Sequence, residues 1–384
     1  MVASLPKRVL MTTDAVGGVW EYSLELATGL CRRGIRVLLA AMGPAPSVAQ
    51  ARAATDIAGL ALAHRPFRLE WMSGAEVDLL PSAAWLSDLA AGFNPDIVHV
   101  NGYAHANLPW RCPVVVVCHS CVCSWWQAVR GERAPREWDA YRARVAAGLL
   151  RADLVIAPTG SFLDTIQQLY GIEPTRASAI PNARSGGFRV GFSKEQFVFS
   201  CGRAWDAAKG FDIVDRLAAR LPWPVYVAGS TLDAEGSSCR LPVHANALGP
   251  LRQDELASWL AGASLFVLPA RYEPFGLSIL EAAMSGCALV LSELDTLREL
   301  WDGAAVFVRT QDEQGLYEAV TTLMNDPLRL HEMAALALLR AGRYSSEAMV
   351  DGYLRAYSQA ALHRRGPRGG ARPELLARRE VVLN

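Results

Sequence analysis

The chain is predicted to be an α/β protein built from two Rossmann-like, doubly wound parallel-sheet domains. Three observations predict this. Short, wholly apolar runs alternate with helical stretches in two successive sets, a glycine loop joins a strand to an amphipathic helix near the amino terminus, and a second strand-loop-helix junction follows near residue 270.

Taken in order, Arg8–Met11 reads as a strand, Thr12–Gly18 as a loop and Val19–Cys31 as an amphipathic helix ending near Gly34. The loop lacks the G-x-G-x-x-G spacing, and no acidic residue closes the second strand at Val37–Ala40, which argues against a dinucleotide-dependent dehydrogenase. Further strands at Ile97–Val100, Val114–Val117 and Leu154–Ala157 complete the first domain. The run Ile180–Gly187 is rich in turn formers and is the expected hinge. Strands at Phe197–Ser200, Val225–Ala228, Leu265–Leu268, Leu289–Ser292 and Val306–Val308 belong to the second domain. Met349–Leu362 reads as a last helix, and His363–Asn384, with six arginines against two glutamates and interrupting Gly and Pro, as a disordered basic tail.

The most informative segment is EPFGLSILE, Glu273 to Glu281, between the apolar strand Ser264–Pro269 and a helix from Leu277 to Ser285. The backbone N–H groups of Phe275, Gly276 and Leu277 fall at or just before the helix start, where donors lack intrahelical partners and the dipole is positive, so an anion is stabilised there. Gly276 permits close approach of the anion, Pro274 fixes the path of the loop, and Glu273 can accept hydrogen bonds from neighbouring hydroxyls. A sugar joined to a phosphate has both features. The plainer reading, in which Glu273 complements the helix dipole and Glu281 faces solvent, applies to an isolated pair of glutamates.

A second cluster follows the strand Phe197–Ser200, where CGRAWDAAKG places Arg203 and Lys209 on either side of a turn. Taken alone they are ordinary surface cations, but a departing diphosphate needs such neutralisation, and a guanidinium with an ammonium supplies it without a metal. His119 ends the run Val114–Cys118 and so emerges at the carboxyl edge of a parallel sheet, where open α/β sheets place ligands.

The segment EPFGLSILEAAMSG resembles the donor-site E-x7-E segment of family 4 glycosyltransferases, retaining enzymes of GT-B fold that use nucleotide-activated sugars. The resemblance extends loosely over residues 5–362 and is strongest in the second half. It implies that Glu273 contacts the transferred sugar, that Glu281 contacts the nucleotide ribose, and that the Phe275 to Ser278 backbone holds sugar hydroxyls and phosphate. Arg203 and Lys209 match the family's diphosphate clamp, with Trp205 and Asp206 standing in place of small polar residues. His119 matches a histidine that hydrogen-bonds the donor sugar near its reacting carbon. Gly17 and Gly18 match a glycine loop facing the interdomain cleft, and Asp14 in the same loop is a candidate for orienting an acceptor hydroxyl.

The hinge resembles the family's I-P-N segment, with Ala183 where glycine is usual. The implied organisation is an acceptor domain at 1–185, a nucleotide-sugar domain at 186–345, a helix at 346–362 crossing back to the first domain, and the tail at 363–384. The implied activity is retaining hexosyl transfer from a UDP- or GDP-sugar to an acceptor hydroxyl of a saccharide, a lipid-linked glycan or a small aglycone. No metal and no other cofactor is expected. Alternatives are a sugar-nucleotide epimerase of the same fold and a catalytically silent scaffold that binds nucleotide or a partner. A phosphorylase would need a longer chain and a pyridoxal-phosphate lysine.

Composition bounds these readings. With 384 residues, 51% hydrophobic and 20% charged, the chain can fill two or three cores and is not generally disordered. A formal net charge of +0 gives no electrostatic case for nucleic acid. There is no apolar run of membrane-spanning length and no signal-peptide core near Met1, so a cytoplasmic protein is expected. The eight cysteines then read as reduced, mostly buried small side chains. Cys112, Cys118, Cys121 and Cys123 with His119 fit no standard zinc spacing, and no D-x-D sequence offers a metal-held diphosphate site. The stretch Arg130–Arg151, with Trp138, Tyr141, Val145 and Leu149, reads either as a helix whose apolar stripe faces the core, the preferred reading, or as a basic surface for peripheral contact with an anionic membrane. The loops Leu60–Pro81 and Asn101–Trp110, and Trp125 with Trp126, are candidates for the acceptor side.

Overall fold

A computed structural model describes residues 5–365 apart from 189, 191–192, 234 and 238–241. The first parallel sheet comprises β1 (Arg8–Asp14), β2 (Arg36–Met42), β3 (Leu60–Arg65), β4 (Ile97–Val100), β5 (Val114–Val117), β6 (Leu154–Ala157) and β7 (Ala177–Ala179), in spatial order 3-2-1-4-5-6-7. Its helices are α1 (Gly18–Arg32), α2 (Val48–Thr55), α3 (Leu79–Phe93), α4 (Val122–Arg130), α5 (Asp139–Arg151) and α6 (Gly160–Tyr170). The second sheet comprises β8 (Glu195–Cys201), β9 (Val225–Ala228), β10 (Asn246–Gly249), β11 (Ala263–Leu268), β12 (Ala288–Ser292) and β13 (Val306–Val308), in order 10-9-8-11-12-13. With it run α7 (Phe211–Ala218), α8 (Gln253–Gly262), α9 (Leu277–Met284), α10 (Asp295–Trp301), α11 (Glu313–Asn325) and α12 (Pro327–Ala341), and the chain closes with α13 (Ser346–Arg365).

The central strands β4, β5, β6, β11 and β12 are buried along their whole length, because helices cover both faces of each sheet. Each sheet therefore separates two apolar cores. In a doubly wound sheet the strand order reverses once, and loops at the carboxyl ends of the strands flanking that point diverge to leave a crevice. Here the flanking strands are β1 and β4 in the first sheet, and β8 and β11 in the second.

Three edge strands depart from the sequence expectation. Leu60–Arg65, expected to open an acceptor loop, pairs in register with β2 as β3. Ala177–Ala179 and Asn246–Gly249 pair as β7 and β10. All three lie at sheet edges, half exposed and poor in β-branched residues, so they lack the pattern that marks a buried strand.

Although α13 follows the second domain in sequence, its Met349, Val350, Tyr353 and Tyr357 are buried in a core of the first sheet. It lies so close to α1 that a Cβ on Gly29 would sit 2.3 Å from Val350 Cγ2. The helix continues past the expected end at Leu362, because His363 Nδ1 contacts Asp153 O at 3.0 Å and the Arg364 guanidinium pairs with the Asp153 carboxylate at 3.3 Å. Residues 366–384, the remainder of the expected tail, lie outside the described residues. In α5 Tyr141, Val145 and Leu149 are buried in the first-domain core, so the apolar stripe of this basic helix faces inward. No described helix is long and apolar enough to cross a membrane.

Candidate functional site

The carboxyl edges of the two sheets face each other, and the loops along them meet. Thr159 Oγ1 donates to Pro274 O at 3.1 Å, the Cys121 N–H donates to the Tyr272 hydroxyl at 3.0 Å, and Trp125 Nε1 donates to Asp206 at 3.0 Å. Above them Trp71 and Trp205 stack at 6.5 Å between centroids.

On the second-domain lip, β11 leads through residues 269–276 into α9. The first backbone bonds of α9 run from the Ile279 and Leu280 N–H groups to Gly276 O, so the N–H groups of Phe275, Gly276, Leu277 and Ser278 precede the hydrogen-bonded ladder. Leu277 and Ser278 are partly open to the cleft. Gly276 has φ +86°, and a Cβ there would lie 2.6 Å from Ile279 Cδ1. Gly276→Ala is therefore expected to cost about 1–2 kcal/mol of stability, visible as a lowered midpoint in thermal unfolding. An unchanged midpoint would show that the turn can relax.

The loop after β8 is held against this segment. The Arg271 N–H donates to Ala208 O at 2.7 Å, and Gly210, with φ +70°, passes Pro269 so closely that a Cβ would lie 2.3 Å from its carbonyl oxygen. This close crossing brings Lys209 Nζ to 2.6 Å from Glu273 Oε2, both side chains largely buried. Asp206, one of the two residues left open by the sequence, has a structural part. It accepts from Arg203 Nη2 at 2.8 Å, from Trp125 and from the Ala208 N–H. Burial works against its charge, but Arg203, Lys209 and these donors hold its carboxyl below the usual carboxylate range. The Arg203 guanidinium lies 5.3 Å over the Trp205 ring and keeps 40% of its side-chain exposure, so it remains open to a ligand.

On the first-domain lip, β1 runs further than expected and takes in Asp14, leaving a shorter glycine loop. Gly18 faces α9 across the cleft, since a Cβ there would meet Leu277 Cδ1 at 3.4 Å, while a Cβ on Gly17 would meet nothing within 4 Å. The Asp14 carboxylate accepts the Val16 N–H at 2.8 Å. Its burial pushes its pKa up, opposed by that N–H and by the field of Arg203 across the cleft.

His119 lies past the end of β5 with Nε2 2.9 Å from Asn101 Oδ1 and its ring edge-on to Tyr22. Since the amide oxygen only accepts, Nε2 carries the proton and Nδ1 is left with its lone pair. Asn101 is fixed in turn, its Nδ2 donating to Thr12 O at 2.8 Å and to Ser23 Oγ at 3.0 Å. Burial, with His99 nearby, pushes the His119 imidazole down to about 3, so it is neutral at physiological pH.

Glu281 is not free in the cleft. Its Oε1 lies 2.9 Å from Arg184 Nε, and burial, opposed by Arg184, pushes its pKa up to about 7. The site thus gathers Glu273, Lys209, Arg203, the α9 amides, Gly17, Gly18, Asp14 and His119 along one cleft, with Glu281 one turn below the start of α9. The sequence reading placed Asn101 only as the start of a candidate acceptor loop, not as the partner of His119, and missed Tyr272 and Arg184. Asn101 follows β4 as His119 follows β5, a positional signal that could have found it; Tyr272 and Arg184 had none. The cysteine cluster does not converge on a metal. Cys121 Sγ contacts the Tyr170 hydroxyl, Cys118 is buried in the core, and no described group of three or more His, Cys, Asp or Glu residues is placed to hold an ion.

Two parallel α/β domains with their carboxyl edges facing across one cleft form the GT-B architecture. Sucrose-phosphate synthase from Thermosynechococcus elongatus has the same fold, with a TM-score of 0.76, 16% identity and coverage of 94% of this chain and all of that one. Anabaena Alr3699/HepE, solved in complex with UDP and glucose, gives a TM-score of 0.73 at 15% identity, over 92% of this chain and 99% of that one. Residues 16–184 match the model of Glycosyltransferase Family 4 and residues 195–326 that of Glycosyl transferases group 1, which between them take in more than three quarters of the chain. The chain belongs to this family of glycosyltransferases. Among curated relatives, D-inositol 3-phosphate glycosyltransferase 1 of Catenulispora acidiphila is 28% identical over 253 residues, 58% of this chain and 60% of the relative. A glycogen synthase of Mycobacterium tuberculosis is 34% identical over 129 residues, 33% of this chain and 30% of the relative. The chain thus spans less than two thirds of the length of these relatives.

Proposed function

We propose that this protein transfers a sugar from a nucleoside diphosphate sugar to an acceptor hydroxyl, with retention of configuration. The observation that supports this most is the contact of Lys209 with Glu273 beside Arg203 and the α9 amides that precede its hydrogen-bonded ladder, with a neutral His119 on the facing lip. The diphosphate lies against the α9 N-terminus, where its charge meets Arg203, Lys209 and the amides of Phe275 to Ser278. Glu273 accepts from hydroxyls of the transferred sugar, and Nδ1 of His119 accepts another near the anomeric carbon.

In the reaction the anomeric C–O bond to phosphate breaks with its electron pair going to the diphosphate. The acceptor oxygen bonds the same carbon from the same face, and its proton passes to the departing phosphate oxygen. The cations and amides stabilise the transition state because the leaving group gains charge as the bond breaks. No protein nucleophile and no metal is assigned to this step. Contact across the cleft keeps out the water that would otherwise hydrolyse the sugar.

The first test is a panel of UDP-, GDP-, ADP- and TDP-sugars without acceptor, reading nucleoside diphosphate release and thermal stabilisation, with Glu273→Ala as control. One donor should stabilise the fold by about 2.7 kcal/mol at a hundredfold excess over Kd and release its nucleotide slowly, and Glu273→Ala should abolish the release. Because Anabaena HepE is solved with UDP and with UDP-glucose, UDP-sugars head the panel. Stabilisation without turnover under any acceptor would favour a scaffold, and an epimerised sugar would favour an epimerase. An inverted anomeric centre in the product would overturn the front-face mechanism.

A further inference from the structure

Arg184 lies in the segment that links the domains, where it is buried to 7% exposure. Its Nε lies 2.9 Å from Glu281 Oε1 in α9, and its Nη1 lies 2.7 Å from Glu21 Oε2 in α1. The first residues of these two helices meet across the cleft, Gly18 against Leu277, and Arg184 joins the helices about one turn below those ends. The Phe188 ring backs the guanidinium at 5.5 Å. A second carboxylate of α1, Glu25, accepts the Ser185 N–H at 3.0 Å and is also bonded by the Ser346 hydroxyl. Both crossings between the domains, at residues 184–185 and at 346, are therefore fastened to one face of α1.

We propose that Arg184 is a positioning residue that orients Glu281 toward the nucleotide ribose and ties nucleotide binding to the placement of α1. This rests on the transferase reading, in which Glu281 meets the ribose. A guanidinium fixed at one carboxylate oxygen sets the direction of the other, and among the described residues Glu281 Oε2 has no hydrogen-bond partner. That oxygen is available to a ribose hydroxyl. Glu21, 31% exposed, meets the same guanidinium from the first domain, so Arg184 is shared between an acid of each domain. A shift of α1 relative to α9 pulls on Arg184 and turns Glu281, and occupation of Glu281 by ribose resists that shift. Burial pushes Glu281 up to about 7 even with the guanidinium beside it, consistent with a carboxylate that depends on this partner for its charge. Lysine has neither the fork nor the reach to serve both acids at once.

The test compares the full-length wild type with Arg184→Met, Arg184→Lys, Glu281→Gln and the Arg184→Met/Glu281→Gln double variant. UDP binding is measured by calorimetry, and donor KM and kcat with the sugar nucleotide that the panel identifies. Arg184→Met should weaken UDP binding and raise donor KM by tenfold or more, with kcat changed by less than about threefold, and Arg184→Lys should recover part of the loss. The double variant should be no worse than Glu281→Gln alone, because the two residues act as one unit. UDP affinity within twofold of wild type in a folded Arg184→Met protein, or losses that simply add in the double variant, would overturn the proposal. If Arg184→Met does not fold, Arg184→Lys decides: unaltered donor KM in that variant counts against a role for the guanidinium fork. Failure of the wild type to bind any nucleoside diphosphate would overturn the transferase reading and this one with it, whereas normal binding by Arg184→Met overturns this one alone.

Discussion

Replacing Lys209 with methionine is expected to lower kcat by on the order of 10²–10³-fold, the loss seen when one fixed donor to a developing anion is removed. The ammonium sits in the turn that the Gly210–Pro269 crossing pins against the segment before α9, so in the proposed reaction it would meet the leaving diphosphate without reorganising. The same change leaves the largely buried Glu273 carboxylate without its partner, which costs about 3–5 kcal/mol for a broken buried pair. The two effects separate in the double variant Lys209→Met/Glu273→Gln. A neutral amide needs no ammonium, so stability should return toward wild type while activity stays lost. Denaturant unfolding and single-turnover kinetics on Lys209→Met, Glu273→Gln and the double variant measure both quantities. If folded Lys209→Met kept the wild-type rate in single turnover, Lys209 would be a fold-supporting residue and the diphosphate clamp would reduce to Arg203 and the helix amides.

What the sequence reveals about this molecule follows from how local each feature is. Val114–Val117 could be placed to the residue, because a strand buried on both faces must be apolar throughout. Leu60–Arg65 could not, since an edge strand with His64 and Arg65 at its end has the composition of a loop. The same division holds in the site. Glu273, Gly276 and Glu281 lie on one short segment whose function depends on a single strand-to-helix turn, and that turn is written in the sequence. Arg184 is 97 residues from Glu281, and Tyr272 is 151 residues from Cys121, so their contacts depend on how the two domains meet. Asp206 lies between these cases. It sits beside Arg203 in the chain, yet its link to Trp125 arises only where the two domains meet. The sequence thus conveys the chemistry of each lip better than the coupling between them.

That coupling bears on His119, whose replacement by glutamine is expected to cost on the order of 10²-fold in kcat and to alter the response of the fold to acid. Asn101 fixes the proton on Nε2, so the atom that would serve the proposed reaction is the Nδ1 lone pair, and glutamine cannot present an acceptor in the same place. The acid response has a definite sign. The folded protein holds this imidazole neutral down to about 3, whereas an unfolded histidine takes up a proton near its ordinary value of 6.5. Above about pH 6.5 the two states bind the same number of protons and His119 adds no pH dependence. As the pH falls below that point the unfolded state gains a proton that the folded state refuses, so stability is lost by about 1.4 kcal/mol per pH unit. His99 and His105 are also held neutral by burial, but they are common to both proteins and cancel in the comparison. The stability difference between His119→Gln and wild type should therefore be flat from pH 8 to about 6.5 and then move steadily in favour of the variant down to pH 4. Because the imidazole does not titrate in the working range, the acid limb of kcat/KM should stay where it was despite the lower rate. Equilibrium denaturation at a series of pH values gives the first result, and pH-rate profiles give the second. A constant stability difference across the whole range would mean that His119 is reached by water and protonates in the folded state, and an acid limb that moved with the substitution would make it a proton-transfer group instead of a fixed acceptor.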